Sequence, residues 1–320
     1  LYDAPSADYY GVVATVQAAK KSAPGYLREL LPSWQVGLEA QNRADKTIAN
    51  YLAAAHQFVA FLENRGMPTD AAGVHREHVE AFLVDLKTQG RSASTVATRF
   101  RALQQLFKWC AEEGEIGESP MRNMKPPTVP EALVPHLTED QLRALLATCR
   151  GKDFESRRDA AMLLLFIDAG LRRAELAGLS VGDVDRTRRV VLAEGKGARP
   201  RECPMGAKAM QAMDRYLRAR RSHPHADSEA LWLGVRGPMT DSGVAQVVRR
   251  RGVEAGVGPI HPHQLRHTFS HLFRMNGGSP DDLMRLAGWK SPQMLTRYGA
   301  SAADERARDS HRQHSPADRL

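Results

Sequence analysis

The sequence has only three cysteines in 320 residues, few aromatics (6%), and no apolar run as long as eighteen residues. Each shortage excludes something. Cys110, Cys149 and Cys203 stand far apart with no paired spacing, which argues against a disulfide framework and for reduced, mostly buried thiols in a cytosolic protein. A membrane-spanning helix needs about 20 consecutive apolar residues, and the chain offers none. No charged stretch leads into an apolar one at the start, so secretion is not suggested, and Leu1 in place of Met marks a processed or partial chain. No internal repeat recurs. His, Cys, Asp and Glu are nowhere clustered at metal-ligand spacing, so no metal site and no cofactor are expected.

What the chain does have is positive charge, unevenly placed. The net charge is +8; residues 1–137 carry 14 Lys and Arg against 15 Asp and Glu, and residues 138–320 carry 31 against 22. The excess lies wholly in the second part. A basic half-chain suits a polyanion, nucleic acid ahead of a membrane surface, with a plain solvated face as the alternative. The length suggests two domains, and 42% hydrophobic content is enough for their cores.

Periodicity divides the chain. Residues 1–25, with Pro5, Gly11 and Pro24, read as an extension that is partly helical over Val12–Lys21. Residues 26–118 read as a helical bundle. Its helices are expected over Tyr26–Asn42 despite Pro32, from a cap at Asp45 to Gly66, over His75–Lys87, and from Ser92 or Ser94 onward. Residues 119–137 (SPMRNMKPPTVPEALVPHL) carry five prolines and no apolar period, which is linker composition.

Thr138 with Gln141 forms a capping box that opens a second domain, 138–300. A helix over 139–149 and a strongly apolar one stopped by Gly170 come first, followed by a short helix with Arg172 at its mouth. RVVLAEGKGARPRECPM reads as a hairpin turning at GKG. Helices return over 207–221, 241–255, 263–276, 281–287 and 291–298. Residues 301–320 read as a loose tail or a helix needing a partner. The fold class expected is mainly α with a small antiparallel β-sheet.

The chemistry is sought in HPHQLRHTFS, residues 261–270. His263 and Arg266 share a helix face, and an imidazole beside a guanidinium can move a proton while gripping a phosphate. His271 and Arg274 repeat the pattern, and either pair alone is a weak signal. Arg172 opens a helix, where the dipole disfavours a cation unless an anion meets it. Lys196 sits on the glycine-flanked turn, and LAGWKSPQMLTRY supplies Trp289 and Tyr298. Taken one at a time, a hairpin lysine, a core indole and a surface phenol are ordinary. Together they suit a phenol attacking a phosphodiester, with arginines stabilising the phosphoryl oxygens and a donor protonating the leaving alkoxide. The absence of a carboxylate cluster weighs against a Mg²⁺-dependent nuclease.

These four motifs, in this order, resemble the tyrosine recombinases, or phage integrase family, over roughly residues 27–300. The resemblance implies a helical core-binding (SAM-like) domain joined to a mixed α/β catalytic domain. It implies that Arg172 and Arg266 bind the scissile phosphate and that Lys196 is the general acid for the 5′-hydroxyl. His263 would accept a proton or contact the phosphate, and Trp289 would donate its indole N–H where most members have His. Tyr298 would form a 3′-phosphotyrosyl bond, without metal or ATP. Glu175 and His267 would support the site. The G-L-R pattern selects Arg172 over Arg173, and H-x-L-R-H selects His263 over His271. Tyr216, mid-helix between Met213 and Leu217, reads as structural.

Duplex DNA is the implied partner, clamped between domains. Arg43, Lys46, Arg91, Arg99, Arg101 and Lys108 are candidate contacts in the first domain. Arg199, Arg201, Arg249, Arg250 and Arg251 are candidates in the second. The resemblance further implies a homotetramer on DNA (a dimer per site), a tail that docks on a neighbouring protomer, no membrane, and a bacterial or phage-encoded protein of the cytoplasm and nucleoid. About 26 residues before the bundle are too few for an arm-binding domain, which favours an integrase or mobile-element recombinase of two domains. Chromosome-dimer resolution, a type IB topoisomerase-like activity and a catalytically silent DNA-binding accessory stand as alternatives.

Overall fold

The computed structural model describes residues 25–130, 135–194, 200–289, 291–315 and 317–319, and of residues 296–302, 304 and 319 the backbone alone. The extension before Gly25, and the turn holding Lys196 and Arg199, lie outside the described residues. The chain forms two compact units, Leu1–Pro130 and Glu131–Leu320. No helix among the described residues is long and apolar enough to cross a membrane.

The first unit is the expected bundle: α1 (Leu27–Ala40), α2 (Asp45–Asn64), α3 (Arg76–Thr88) and α4 (Ala93–Glu112). Pro32 costs α1 one backbone hydrogen bond, but Leu27, Leu31, Trp34 and Leu38 on one face are buried and hold the helix. Phe58 anchors the core edge-on to Phe82 at 5.2 Å and to Phe107 at 6.0 Å.

The caps refine the sequence reading. Ser92, not Ser94, starts α4 by accepting from Thr95 N–H at 3.2 Å. Ala44 is the cap residue of α2, and Asp45 occupies the first turn, where its charge meets the positive end of the dipole. At α3, His75 N–H donates to His78 Nδ1 at 2.9 Å. The proline-rich segment is not all linker: Met121 and Met124 pack into the first core, and Leu137 into the second. Proline prevents regular structure there without preventing burial.

In the second unit, Thr138 and Gln141 form the reciprocal cap (2.9 and 3.2 Å) that opens α5 (Glu139–Ala147). The central helix α6 (Phe154–Ala169) buries residues around most of its circumference. It lies between α8 (Ala207–Arg220) and α10 (Pro262–Met275), which explains why its sequence is apolar on several faces. Gly170 ends it at φ 57°, and a Cβ there would overlap the Phe269 ring. Gly170→Ala therefore combines left-handed strain with a clash. It should lower stability by about 1–3 kcal/mol, read as a lower urea midpoint; an unchanged midpoint would contradict this packing.

The hairpin forms as β2 (Val190–Ala193) against β3 (Arg201–Pro204), with Val190 opposite Pro204 and Ala193 opposite Arg201. A short β1 (Val184–Asp185) extends it to a three-stranded antiparallel sheet. A second hairpin, β4 (Leu233–Gly234) and β5 (Gly237–Pro238), was not foreseen, because strands of two residues leave no alternation to read.

The short helix α7 (Arg173–Ala177), α9 (Asp241–Glu254) and α11 (Pro280–Ala287) match expectation. The last helix does not: α12 runs Pro292–His314, straight through the expected boundary at residue 300. Arg306 donates to the Arg274 carbonyl at 3.0 Å, and Glu305 lies 3.3 Å from His271, so the continuation is fastened to α10. All three cysteines are buried, as expected, and burial, helped by Glu115, pushes the Cys110 thiol up to about 12.

Candidate active site

Arginines at the ends of α6 and α11 organise the site. The last carbonyls of a helix lack intrahelical partners and carry the negative end of its dipole, so they attract guanidinium groups. Three successive carbonyls closing α11 each accept from a different arginine. Leu286 O accepts from Arg201 at 3.0 Å, Ala287 O from Arg266 at 2.5 Å, and Gly288 O from Arg172 at 3.1 Å. Arg266 also donates to Gly170 O at the end of α6. One turn of backbone thus gathers arginines that lie far apart in sequence.

The next residue is Trp289. It is buried, with its ring 5.7 Å from the Arg266 guanidinium carbon. Arg172 and Arg266 differ in accessibility. The Arg172 side chain is 41% exposed, whereas Arg266 is 1% exposed. Arg172 is therefore open to solvent, whereas Arg266 is fixed inside the fold.

Glu175 binds the group together. Its carboxylate accepts from Arg172 at 2.6 Å, from the Arg172 backbone N–H at 2.8 Å, and from Arg201 at 2.9 and 2.8 Å. Burial alone would raise its carboxyl, but the hydrogen bonds from Arg201 and Arg172 outweigh it and hold the group at about 2. Because the folded value lies below the roughly 4.3 of an unfolded glutamate, the stabilisation is complete above that value. It is lost as pH falls from there through about 2. Glu175→Gln should cost a few kcal/mol at neutral pH and flatten the loss of stability over that acid window. Urea titrations at pH 7 and pH 3 check this; equal steepness in both proteins would contradict it.

The residues competing in register differ in their surroundings. Arg173 turns away to Asp241 at 2.7 Å, leaving Arg172 in the cluster. His263 is exposed on the first turn of α10, and the buried His267 lies one turn on with ring centroids 6.2 Å apart. Tyr216 is fully buried, donates to Leu231 O at 2.7 Å and accepts from Leu233 N–H at 3.1 Å, and burial raises its phenol. It is structural, as its setting suggested.

Tyr298 lies on the backbone of α12, the helix packed along α10, and its side chain is outside the described residues. Lys196 is outside them too. The hairpin that carries it ends at the pair Ala193 and Arg201, and Arg201 is itself in the cluster.

Arg201 was expected on the surface as a DNA contact; instead its side chain is 14% exposed and clamps Glu175. Position alone could not reveal this, because the partner carboxylate is remote in sequence. Arg250 and Arg251 are likewise engaged, both with the buried Asp159 at 2.8 Å. Arg99 donates to Gln57 at 3.0 Å, and Lys108 lies 3.6 Å from Glu112. Arg43, Lys46, Arg91, Arg101 and Arg249 are exposed.

The sequence shows no clustered metal ligands, yet the fold brings donor atoms of His136, His271 and Glu305 within 4.8 Å of one another. The two imidazoles stack at 3.6 Å and 13°. Parallel rings so close cannot both aim in-plane lone pairs at one ion, so the trio reads as packing that ties α12 to α10. Burial, then His136, lowers the His271 pKa.

Residues 135–305 match the phage integrase family, and residues 30–114 match the phage integrase N-terminal SAM-like domain. Tyrosine recombinase XerC of Pseudomonas aeruginosa is 32% identical over 233 residues, covering 72% of this chain and 76% of that protein. XerD of the same organism is 31% identical over 278 residues, covering 85% and 92%. Among solved structures, the XerH site-specific recombinase bound to palindromic difH substrate aligns with a TM-score of 0.72 at 17% identity, over 97% of this chain and 91% of that one. A lambda integrase dimer bound to a COC′ core site aligns at 0.69 and 17%, over 86% and 95%.

Proposed function

The chain belongs to the phage integrase family, the tyrosine-type site-specific recombinases, and from that premise we propose that it cuts and rejoins duplex DNA with Tyr298 as the nucleophile. The observation that carries the reading is the run of three carbonyls at 286–288 holding Arg201, Arg266 and Arg172. Cations fixed before substrate arrives need no reorganisation as charge builds on the phosphoryl oxygens.

In this reading Arg172 grips the non-bridging oxygens and Arg266 adds a second positive charge from below. Trp289 walls the site and supplies an indole donor for a phosphate oxygen. Tyr298 attacks phosphorus, its phenolate favoured by the surrounding cations. The P–O bond to the 5′-oxygen breaks as the 3′-phosphotyrosyl bond forms. Lys196 protonates the departing 5′-oxygen, and His263 accepts the phenol proton or holds the phosphate. In the second step a 5′-hydroxyl displaces the tyrosine, so the energy of the backbone bond is kept. Glu175 orients Arg172 and does not react.

Duplex DNA as partner is supported by the solved relatives, described as bound to difH substrate, a COC′ core site and circular intermediate DNA. Action as a tetramer, with a dimer on each site, is part of the same proposal.

A nicked duplex that traps the cleaved strand tests the nucleophile. The wild-type chain should give a covalent protein–DNA band on a denaturing gel. Tyr298→Phe should lose that band entirely while shifting the same duplex on a native gel. A surviving adduct would move the nucleophile elsewhere.

A further inference from the structure

The second unit holds another gathering of cations, made of residues outside the arginine cluster. A cavity of about 740 Å³ opens between the end of α5, one side of α6 and the length of α8 from Lys208 to Arg218. Arg150, Lys152, Arg157, Lys208, Arg215 and Arg218 line it, and no acidic side chain does. The floor is apolar, formed by Leu146, Leu164 and Ala212.

The charge state of this cavity sets it apart. Several arginines elsewhere in the unit face a carboxylate: Arg173 with Asp241, Arg186 with Asp214, Arg188 with Glu202, and Arg251 with Asp159. Among the described residues, none of the six lining cations has an ion pair or a side-chain hydrogen bond. Six like charges around one concavity repel one another, and an anion entering it removes that repulsion while gaining attraction from each. Four of the six are arginines, whose planar forks match phosphate oxygens in pairs.

The site is separate from the recombination centre. The catalytic arginines hang from the C-terminal ends of α6 and α11 and from α10, whereas the cavity lies where α6 faces α8. Its volume falls within the range of about 300–1,000 Å³ typical of small-molecule sites. A duplex is convex and would touch only the rim, leaving the apolar floor uncovered. A compact ligand with a charged end and an aromatic body uses both.

We infer that this cavity is a second anion site that takes a nucleoside polyphosphate, its phosphates among the cationic rim and its base on the Leu146–Leu164–Ala212 floor. The site is independent of Tyr298.

The test uses the full chain and a fluorescent ATP analogue without metal, followed by anisotropy at physiological salt. Expected are saturable binding to one site per chain and at least tenfold weaker binding by Arg215→Glu/Arg218→Glu. Both residues are exposed on α8, so the fold should survive the change, and circular dichroism checks that it does. Arg150→Glu/Lys152→Glu, outside regular helix, provides a second variant with the same expected loss. Inorganic triphosphate should compete at least tenfold less well than ATP, because it leaves the floor bare. Either double variant should still form the covalent DNA adduct. The inference is overturned by absence of saturable binding, by binding that neither double variant weakens, or by triphosphate competing as well as ATP. Duplex DNA that displaces the analogue and itself loses affinity in the variants would also overturn it.

Discussion

Arg266→Ala should lose DNA cleavage and stability together, whereas Arg172→Ala should lose cleavage alone. The contrast follows from burial. Arg266 is 1% exposed and donates to the carbonyls of Gly170 and Ala287, which close two helices. Removing it strips charge from the site and leaves buried acceptors unsatisfied, at about 1–3 kcal/mol for each. Arg172 is 41% exposed, and when it is removed Glu175 keeps both hydrogen bonds from Arg201. Loss of one preorganised donor at a developing oxyanion costs roughly 100–1,000-fold in rate, so each variant should cleave at least 100-fold more slowly. Single-turnover adduct formation and urea unfolding, measured on both proteins, separate the effects. Cleavage by Arg266→Ala within tenfold of wild type would show that its charge does not act on the phosphate.

Asp159→Asn should be among the most destabilising single changes in the second unit. Asp159 is fully buried and accepts from Arg158 at 2.9 Å, Arg250 at 2.8 Å and Arg251 at 2.9 Å. Arg158 and Arg251 are themselves buried. The substitution removes the one negative charge that all three share and leaves guanidinium groups in a low-dielectric setting. Breaking a buried pair from one side costs about 3–5 kcal/mol. Chemical denaturation should show the second unit unfolding at much lower urea, with the unfolding of the helical first unit unchanged. A loss below about 1 kcal/mol would mean that solvent screens the cluster, as it does surface pairs.

Local rules made much of this molecule legible. Helical periodicity placed the bundle, Thr138 with Gln141 marked the start of α5, and Gly170 marked the end of α6, because each signal lies within one turn of chain. The motifs carrying Arg172, His263, Arg266, Trp289 and Tyr298 are short and local in the same way, and they lie within residues 135–305, which match the phage integrase family. What escaped depends on contacts remote in sequence. Arg201 reads as a surface cation until Glu175 is beside it, and Arg250 and Arg251 until Asp159 is. Met121 and Met124 read as linker until the core they complete is known. Residues 301–320 left a loose tail and a helix needing a partner equally open, because a charged, alanine-rich segment carries little amphipathic signal and its attachment to α10 is tertiary. The stacked His136 and His271 could not be foreseen from spacing at all.

The most direct measurement is to recover DNA covalently trapped on the protein in cells, digest the adduct with nuclease and protease, and identify by mass spectrometry the residue that carries the nucleotide. A single phosphotyrosyl peptide containing Tyr298, attached to the 3′ end of the cleaved strand, is the expected result. Nucleotide carried by Tyr216 or any other residue, or attached through a 5′ end, would contradict it.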